Sequence, residues 1–192
     1  MIKKLFFFIY IFLIFFISES ISLADLKSKI INKLRLTKTL SFNFNQKIAD
    51  KEEIGNCHIK YPLFMKCNYK DSKQKIIISN GKTVAIIKKK YKKIYYYPIK
   101  YTPLFFILKK DKIINLIQNT KPIETNDGLI KFIFSDEKKN KVKILFDKNT
   151  LEFKGWETQD AYANDVSFLI NDLKTNNQIV DDFFKIPQEK DL

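Results

Sequence analysis

Hydrophobic and polar positions change their period early in the chain. Residues 25–40 place apolar side chains at a near-helical spacing, which predicts an amphipathic helix ending near Thr37. Residues 40–48 then alternate, with Phe42 and Phe44 separated by polar neighbours, which predicts a strand with one apolar face. The chain is therefore expected to begin with a helix and to continue as a sheet.

The segment IGNCHIKYPLFMKCNY, residues 54–69, indicates a hairpin that turns at Pro62. Placing the proline at the turn puts Ile59 opposite Met65 and Cys57 opposite Cys67. Directly opposed residues lie about 4.5–5.5 Å apart at Cα, which a disulfide can bridge. The same register gathers six side chains on one face of the hairpin: Cys57, Ile59, Tyr61, Met65, Cys67 and Tyr69.

The rest of the chain contains further strand signals. Asn80-Gly81 between apolar runs predicts a second hairpin, and KKIYYYPIK at 92–100 predicts a strand that Pro98 ends. After Asp127-Gly128, four short apolar runs separated by turn residues predict an antiparallel meander. In 151–158 the alternation predicts Leu151 and Phe153 on one face and Trp156 on the other.

The segment YTPLFFIL, residues 101–108, does not alternate and is expected to form a short helix. Thr102 is a suitable capping residue, and Pro103 suits the first helical turn. Since this helix has no polar face, it must be covered on all sides, by more protein or by a cavity that accepts an apolar ligand. The following KIINLIQN is expected to form a turn or a second helix.

These elements define the fold class. About nine or ten strands and two or three short helices, without βαβ alternation, predict a mainly β (α+β) fold. We expect a strongly curved antiparallel sheet, with helices covering its concave mouth.

The first residues predict export. Lys3 and Lys4 precede an apolar run over 5–17, and Ser22 and Ala24 provide a small-x-small cleavage site. The run is shorter than the roughly 20 residues that span a bilayer, so an uncleaved anchor is the less favoured alternative. We expect a signal peptide at 1–24, a single domain at 25–192 and, since the exported chain meets an oxidising compartment, a Cys57–Cys67 disulfide rather than two buried thiols.

Charge and residue types narrow the function. The net charge of +14 raises the question of nucleic acid, but Arg35 is the only arginine, and base and phosphate recognition favour arginine. His58 is the only histidine, which excludes a histidine-based triad or multi-histidine metal site within one chain. We expect no enzyme, no metal, no cofactor and no nucleic-acid partner.

Six motifs in chain order resemble the LolA family of periplasmic outer-membrane lipoprotein carriers. The second contains the predicted hairpin, and the fourth contains the apolar helix. Together they extend through nearly all of the predicted domain: SFNFNQ (41–46), GNCHIKYPLFMKCNY (55–69), IIISNGKTVAII (76–87), YTPLFFIL (101–108), LEFKGWETQDAYANDVSF (151–168) and FFKIP (183–187).

This resemblance implies a half-open β-barrel whose mouth is closed by helices. A family member takes acylated lipoproteins from an inner-membrane ABC transporter, carries them through the periplasm to an outer-membrane receptor and hydrolyses nothing; a monomer is expected. A carrier of free lipid or another apolar ligand is the alternative, since both need the same cavity. Residues expected to line the cavity or its lid are Phe42, Phe44, Ile59, Tyr61, Met65, Tyr69, Leu104, Phe105, Ile107, Leu108 and Trp156.

Tyr61 departs from the family pattern. The family usually has an arginine before this proline, and that arginine latches the lid by hydrogen bonds to the helix backbone. A phenol has one donor where a guanidinium has five. Either the latch is weaker here, or Lys60 substitutes, or apolar contacts alone close the lid; we expect a less firmly closed empty state.

Overall fold

The computed structural model describes residues 23–71, 73–135, 141–160 and 163–192. The predicted signal peptide falls almost wholly outside the described residues, and its cleavage stays a prediction. The first described element is helix α1, Leu23–Leu36, which buries Ile30, Ile31 and Leu34 on one face, in agreement with the predicted amphipathic helix.

Strands dominate the described residues. Their bounds are β1 Thr39–Ile48, β2 Lys51–Lys60, β3 Phe64–Tyr69, β4 Lys75–Asn80, β5 Thr83–Lys88, β6 Lys93–Pro98, β7 Ile123–Glu124, β8 Leu129–Ser135, β9 Lys141–Asp147, β10 Phe153–Gln159 and β11 Asp165–Thr175. The two-residue strand β7 is too short to leave a periodic signal in the sequence.

All these strands form one open antiparallel sheet. Its order is β6-β5-β4-β3-β2-β1-β11-β10-β9-β8-β7, so the first and last strands pair at its centre. The edges are β6 and β7, which lie at opposite ends of the order. The predicted fold class, a mainly β protein with an unclosed antiparallel sheet and few helices, is confirmed.

The hairpin between β2 and β3 has the predicted register. Cys57 pairs with Cys67 and Ile59 with Met65, and the two cysteines are joined by a disulfide. The second hairpin turns at Asn80-Gly81 as predicted; the glycine has a φ of +93°, a conformation that glycine adopts without steric penalty.

The predicted placement of Trp156 opposite Phe153 is wrong. The pairing of β10 with β9 shifts between Phe153 and Gly155, so a β-bulge adds one residue to β10. The extra residue reverses the alternation, and Gly155 adopts a φ of +138° there. The rings of Phe153 and Trp156 consequently stack in the same core, with centroids 6.1 Å apart.

Two further α-helices follow β6. Helix α2 is Leu104–Ile107 and helix α3 is Lys110–Asn119, so the segment after the apolar run is a helix. Contrary to the expectation, Thr102 does not cap α2: its hydroxyl donates to the Ile99 carbonyl, and Pro103 occupies the N-cap position. Short 3-10 turns occupy Lys89–Tyr91, Ile99–Tyr101, Asp181–Phe184 and Glu189–Asp191.

Candidate apolar binding site and its lid

The predicted cavity and lid residues meet in one apolar cluster. Most are buried within it, and Tyr61, Leu104 and Phe105 are partly buried against it. Ile107 and Leu108, from α2 and the residue after it, are 0% exposed and lie in the same cluster as the sheet residues. The apolar side chains of the α2 segment therefore pack directly against the buried face of the sheet. The cluster members predicted from the sequence are Phe42, Phe44, Ile59, Met65, Tyr69, Ile107, Leu108 and Trp156.

A stack of aromatic rings forms the floor of this cluster. Phe168 lies between Phe44 and Trp156, with ring centroids 4.6 Å and 4.0 Å away, and both pairs are stacked. The sequence analysis missed Phe168. Its alternation with Val166 and Ile170 within β11 was the signal that could have found it.

One backbone hydrogen bond joins the α2 segment to the β2–β3 turn. The Leu63 N–H donates to the Leu108 carbonyl over 2.9 Å. The Leu63 carbonyl in turn accepts a 2.6 Å hydrogen bond from the buried Ser79 hydroxyl, which holds the turn against β4. These two bonds connect the α2 segment, the turn and β4 in series.

Neither Tyr61 nor Lys60 replaces the arginine latch of the family through its side chain. The Tyr61 hydroxyl is buried without a hydrogen-bond partner among the described residues, and burial raises the pKa of this phenol. The Lys60 ammonium points to the C-terminal segment, where it lies 2.9 Å from the Ile179 carbonyl and 2.5 Å from Asp181. Of the three alternatives for lid closure, substitution by Lys60 is therefore wrong.

Lys110 is a second anchor of the α2 segment. Its ammonium donates to the Arg35 carbonyl over 3.1 Å and to the Thr37 carbonyl over 2.9 Å. These carbonyls lie at the end of α1, where backbone acceptors lack helical partners and favour a cation. Both anchors of the α2 segment therefore lie at its C-terminal end, and only the second is made by a side chain.

A wide cleft lies beside the cluster, on the outer side of α2 and α3. Its volume is about 1110 Å³, and it is lined by the two helices and by the ends of β8, β9 and β10. Phe106 and Phe134 meet there with ring centroids 4.4 Å apart, and Val142 lies beside them. Lys112 covers the Phe106 ring at 5.0 Å, so an aromatic patch with a cation above it lies within a cleft whose other lining is largely polar.

The predicted site residues are divided between the closed cluster and this cleft. Phe105 lines the cleft, whereas Tyr61 lines a second, smaller cavity of about 190 Å³ beside α1. Phe106 and Phe134 were missed, although the run LFFIL and the alternation of GLIKFIFS contained the signal. The α2 segment therefore separates a packed apolar cluster from an open cleft of mixed lining that contains an aromatic patch.

A buried carboxylate in the hairpin is paired with two lysines. Glu53 is buried and is paired with Lys51 at 2.8 Å and Lys75 at 2.5 Å. Burial works to raise the pKa of Glu53, but hydrogen bonds from the two lysines outweigh it and leave that pKa lowered. Within the described ranges, no group of three histidine, cysteine or acidic side chains is arranged to hold a metal ion.

Comparison with known proteins identifies the family. The family model described as "Outer membrane lipoprotein carrier protein LolA" matches residues 35–187, which include all the strands of the sheet and both helices of the lid region. The chain belongs to the LolA family. The resemblance drawn from the six sequence motifs is thereby confirmed.

Relatives agree with this assignment. The chain is 28% identical over 197 residues to an outer-membrane lipoprotein carrier protein of Francisella tularensis subsp. tularensis strain WY96-3418, covering 93% of both chains. The carrier of the same name from subsp. novicida strain U112 gives the same identity and coverage. LolA-family membership therefore places this chain in a family of lipoprotein carriers.

A solved structure shares the fold. An uncharacterized conserved protein from Thermus thermophilus superposes with a TM-score of 0.51 at 8% identity, covering 85% of this chain and 94% of that chain. At that identity the similarity concerns the fold alone. In the part of the LolA-family chain that the structure describes, no helix has the length and apolar character needed to cross a bilayer.

Proposed function

We propose that the protein is a periplasmic, non-catalytic carrier that binds the acyl chains of lipoproteins. It takes them from an inner-membrane ABC transporter and delivers them to an outer-membrane receptor. The carrier domain is residues 25–192, acting as a monomer without cofactor or metal after removal of the signal peptide 1–24. The observation that carries the proposal is the wholly apolar α2 segment, which lies between a packed apolar cluster and an open cleft that contains an aromatic patch.

Binding and release both follow from that arrangement. Ile107 and Leu108 are fully buried in the cluster, and each such side chain contributes roughly 1.5–3 kcal/mol by its burial. Acyl chains that enter the cluster displace this burial and gain their own, at about 0.8 kcal/mol for each CH₂. The difference leaves a moderate affinity, which a carrier needs in order to release its cargo.

The α2 segment is suited to move because few directed bonds hold it. The Leu63–Leu108 backbone bond and the Lys110 contacts both lie at its C-terminal end, and apolar contacts hold the helix itself. Movement of α2 would join the cleft to the cluster and open one continuous apolar surface. Phe105 and Phe106 would line the path from the cleft, while Phe168 and Trp156 would form its floor.

A lipoprotein-release assay with inner-membrane spheroplasts tests the function. Adding the purified protein is expected to move newly made lipoproteins into the soluble fraction. Phe106→Glu, which places a charge in the cleft, is expected to abolish release. Ile133→Glu is the matched control, because Ile133 is exposed and neighbours Phe134 on the opposite face of β8, so this variant should release lipoproteins normally.

Two results would reject the proposal. One is a failure of the parent protein to release any lipoprotein. The other is co-purification with free phospholipid and no acylated protein, measured by mass spectrometry, which would favour a carrier of free lipid. Circular dichroism of both variants separates a functional defect from a folding defect.

A further inference from the structure

A dense group of lysines and tyrosines occupies one edge of the sheet. Residues 88–101, KKKYKKIYYYPIKY, contain six lysines, five tyrosines and no acidic residue, and we call them the lysine–tyrosine patch. They form the end of β5, a 3-10 turn, the edge strand β6 and a second 3-10 turn. Ile99 of this segment is buried in the closed cluster, whereas its five tyrosines are exposed and have no role in that packing.

The tyrosines of the patch are exposed although they are large. Tyr91, Tyr95, Tyr96, Tyr97 and Tyr101 are between 41% and 71% exposed. Lys89, Lys90, Lys92, Lys93 and Lys100 are exposed between them. Tyr95 and Tyr97 lie on one face of this edge strand and Tyr96 on the other, so rings and lysines surround the edge from both faces. Amphipathic rings together with positive charge are the combination found at the interface of a bilayer.

The backbone of β6 is poorly suited to receive another strand. The Ile94 N–H, which faces away from β5, donates to the Glu189 carboxylate over 3.0 Å. Because outward donors alternate along an edge strand, the next ones belong to Tyr96 and to position 98, and Pro98 has no N–H. An extended acidic peptide would therefore find one open donor and would compete with the C-terminal segment.

The carboxylates nearest to the patch lie on that C-terminal segment. Ile186 and Leu192 pack against Ile94 and its neighbours, which brings Glu189 and Asp191 beside β6. Glu189 is directed to the Ile94 amide and does not cover the tyrosines. The net character of the edge remains cationic.

The patch continues into the cleft of the proposed carrier. Lys100 and Tyr101 line the mouth of the cleft, and Pro103, Phe105 and Phe106 follow within it. A surface bound to the patch would thus lie against the opening of a cleft that contains an aromatic patch. That continuity favours an occupant that has both anionic groups and acyl chains over a purely acidic protein surface.

We propose that the lysine–tyrosine patch docks the protein on bilayers that contain anionic phospholipid. The lysines supply attraction to the headgroups, and the exposed tyrosines insert at the headgroup level. Docking orients the molecule with the mouth of the cleft toward the membrane. This inference does not depend on lipoprotein cargo, so it can fail or succeed separately from the proposed function.

Vesicle flotation tests the docking. The purified protein is mixed with vesicles of phosphatidylglycerol in phosphatidylcholine, or of phosphatidylcholine alone, at low and high salt. We expect binding to the anionic vesicles that weakens at high salt, because screening shortens the reach of the charges. All variants share the same N-terminus, so their differences report on the substituted side chains.

Two triple variants with the same change of charge identify the surface. Lys89→Gln/Lys90→Gln/Lys93→Gln is expected to lower the vesicle partition coefficient roughly 100-fold at low salt, since each lysine at an anionic surface contributes about fivefold. Lys47→Gln/Lys121→Gln/Lys174→Gln removes three exposed lysines elsewhere and should change it by less than about threefold. Equal losses in the two variants would show a net-charge effect and overturn the proposal.

The tyrosines have a separate test. Tyr91→Ser/Tyr96→Ser should remove the part of the binding that survives high salt, whereas Tyr91→Phe/Tyr96→Phe should retain it. Unchanged salt resistance in the serine variant would contradict insertion of the rings. If the parent binds poly-L-glutamate but not anionic vesicles, the patch recognises an acidic protein surface, and the proposal is wrong.

Discussion

The two ends of the β2–β3 hairpin each bury a tyrosine, but in opposite ways. At the open ends of the strands, the Tyr69 hydroxyl donates to the Gln46 amide oxygen over 2.6 Å, and Glu53 beside it is paired with two lysines. At the turn, the Tyr61 hydroxyl has no partner among the described residues. A buried polar group without a partner is costly, so the turn end is the less well satisfied of the two.

This difference separates a fixed part of the molecule from a part suited to move. Directed hydrogen bonds, ion pairs and the disulfide hold the strands of the hairpin in one arrangement. The lid segment beside Tyr61 is held mainly by apolar contacts, which are non-directional and can be exchanged for contacts with an acyl chain. The hairpin therefore provides a rigid frame along its strands and a releasable contact at its turn.

The largest expected contrast concerns hydrogen exchange without ligand. The Leu63 amide donates to the Leu108 carbonyl, and the Leu108 amide donates to the Leu104 carbonyl. Both amides should exchange at least about 100-fold faster than the amides that join β2 to β3, after correction for intrinsic rates. Exchange resolved by NMR measures this. If residues 103–108 exchange as slowly as global unfolding allows, the lid is as firmly closed as the frame and the expected weak closure is wrong.

Truncation of a buried side chain should have a smaller, measurable contrast. Ile59 and Leu108 are both 0% exposed. Ile59→Ala should lower the free energy of unfolding by about 2–5 kcal/mol, whereas Leu108→Ala should lower it by about 1 kcal/mol. The smaller loss is expected for Leu108→Ala because the α2 segment can open, so that no cavity is left by the shortened side chain. Urea denaturation gives both values, and equal losses would contradict independent opening of the lid.

The Glu53 ion pairs should make the frame sensitive to acid. The pKa of Glu53 lies below its ordinary value of 4.5, so the stabilisation is complete above that pH and is lost as the pH falls through the folded-state pKa. Glu53→Gln should cost about 2 kcal/mol at neutral pH and flatten the acid limb of the stability profile. The matched control is Glu157→Gln, whose carboxylate is paired with Lys131 and Lys143 but is 24% exposed, and it should cost less. A larger loss of stability in Glu157→Gln than in Glu53→Gln would contradict the assignment of the acid-sensitive ion pairs to the β2–β3 hairpin.

The smallest contrast is between the two tyrosines themselves. Tyr69→Phe removes the partner of Gln46 and should lower the free energy of unfolding by about 1 kcal/mol. Tyr61→Phe removes a hydroxyl that has no partner among the described residues, so it should leave stability unchanged or raise it slightly. Thermal melts of the two variants measure this. A clear loss in Tyr61→Phe would indicate that the hydroxyl is hydrogen-bonded in solution.

Local patterns in the sequence were sufficient to predict the hairpins. Alternation around Pro62 placed Cys57 opposite Cys67, and Asn80-Gly81 placed the next turn, because both signals lie within a few residues of the contacts they determine. The helix period likewise located α1, and the absence of alternation after Thr102-Pro103 indicated α2.

Features that depend on distant or irregular contacts were not predictable in this way. The bulge before Gly155 moved Trp156 to the face of Phe153, since one inserted residue is invisible to an alternation count. To predict the cleft that Phe106 and Phe134 line, one would need to know that α2 lies over β8, and no local pattern specifies this. Tyr61, where the family usually has an arginine, was visible in the sequence. The backbone hydrogen bond from Leu63 to Leu108 was not.

The central seam between β1 and β11 has a consequence for how the chain matures. Asn43 and Asp172, which are hydrogen-bonded across that seam, are 129 positions apart in sequence. A nascent chain thus lacks the middle of its sheet until nearly all of it has been made, and such distant pairing is slow to form. If the chain is exported as we propose, this delay would keep it unfolded until it has reached the translocation machinery.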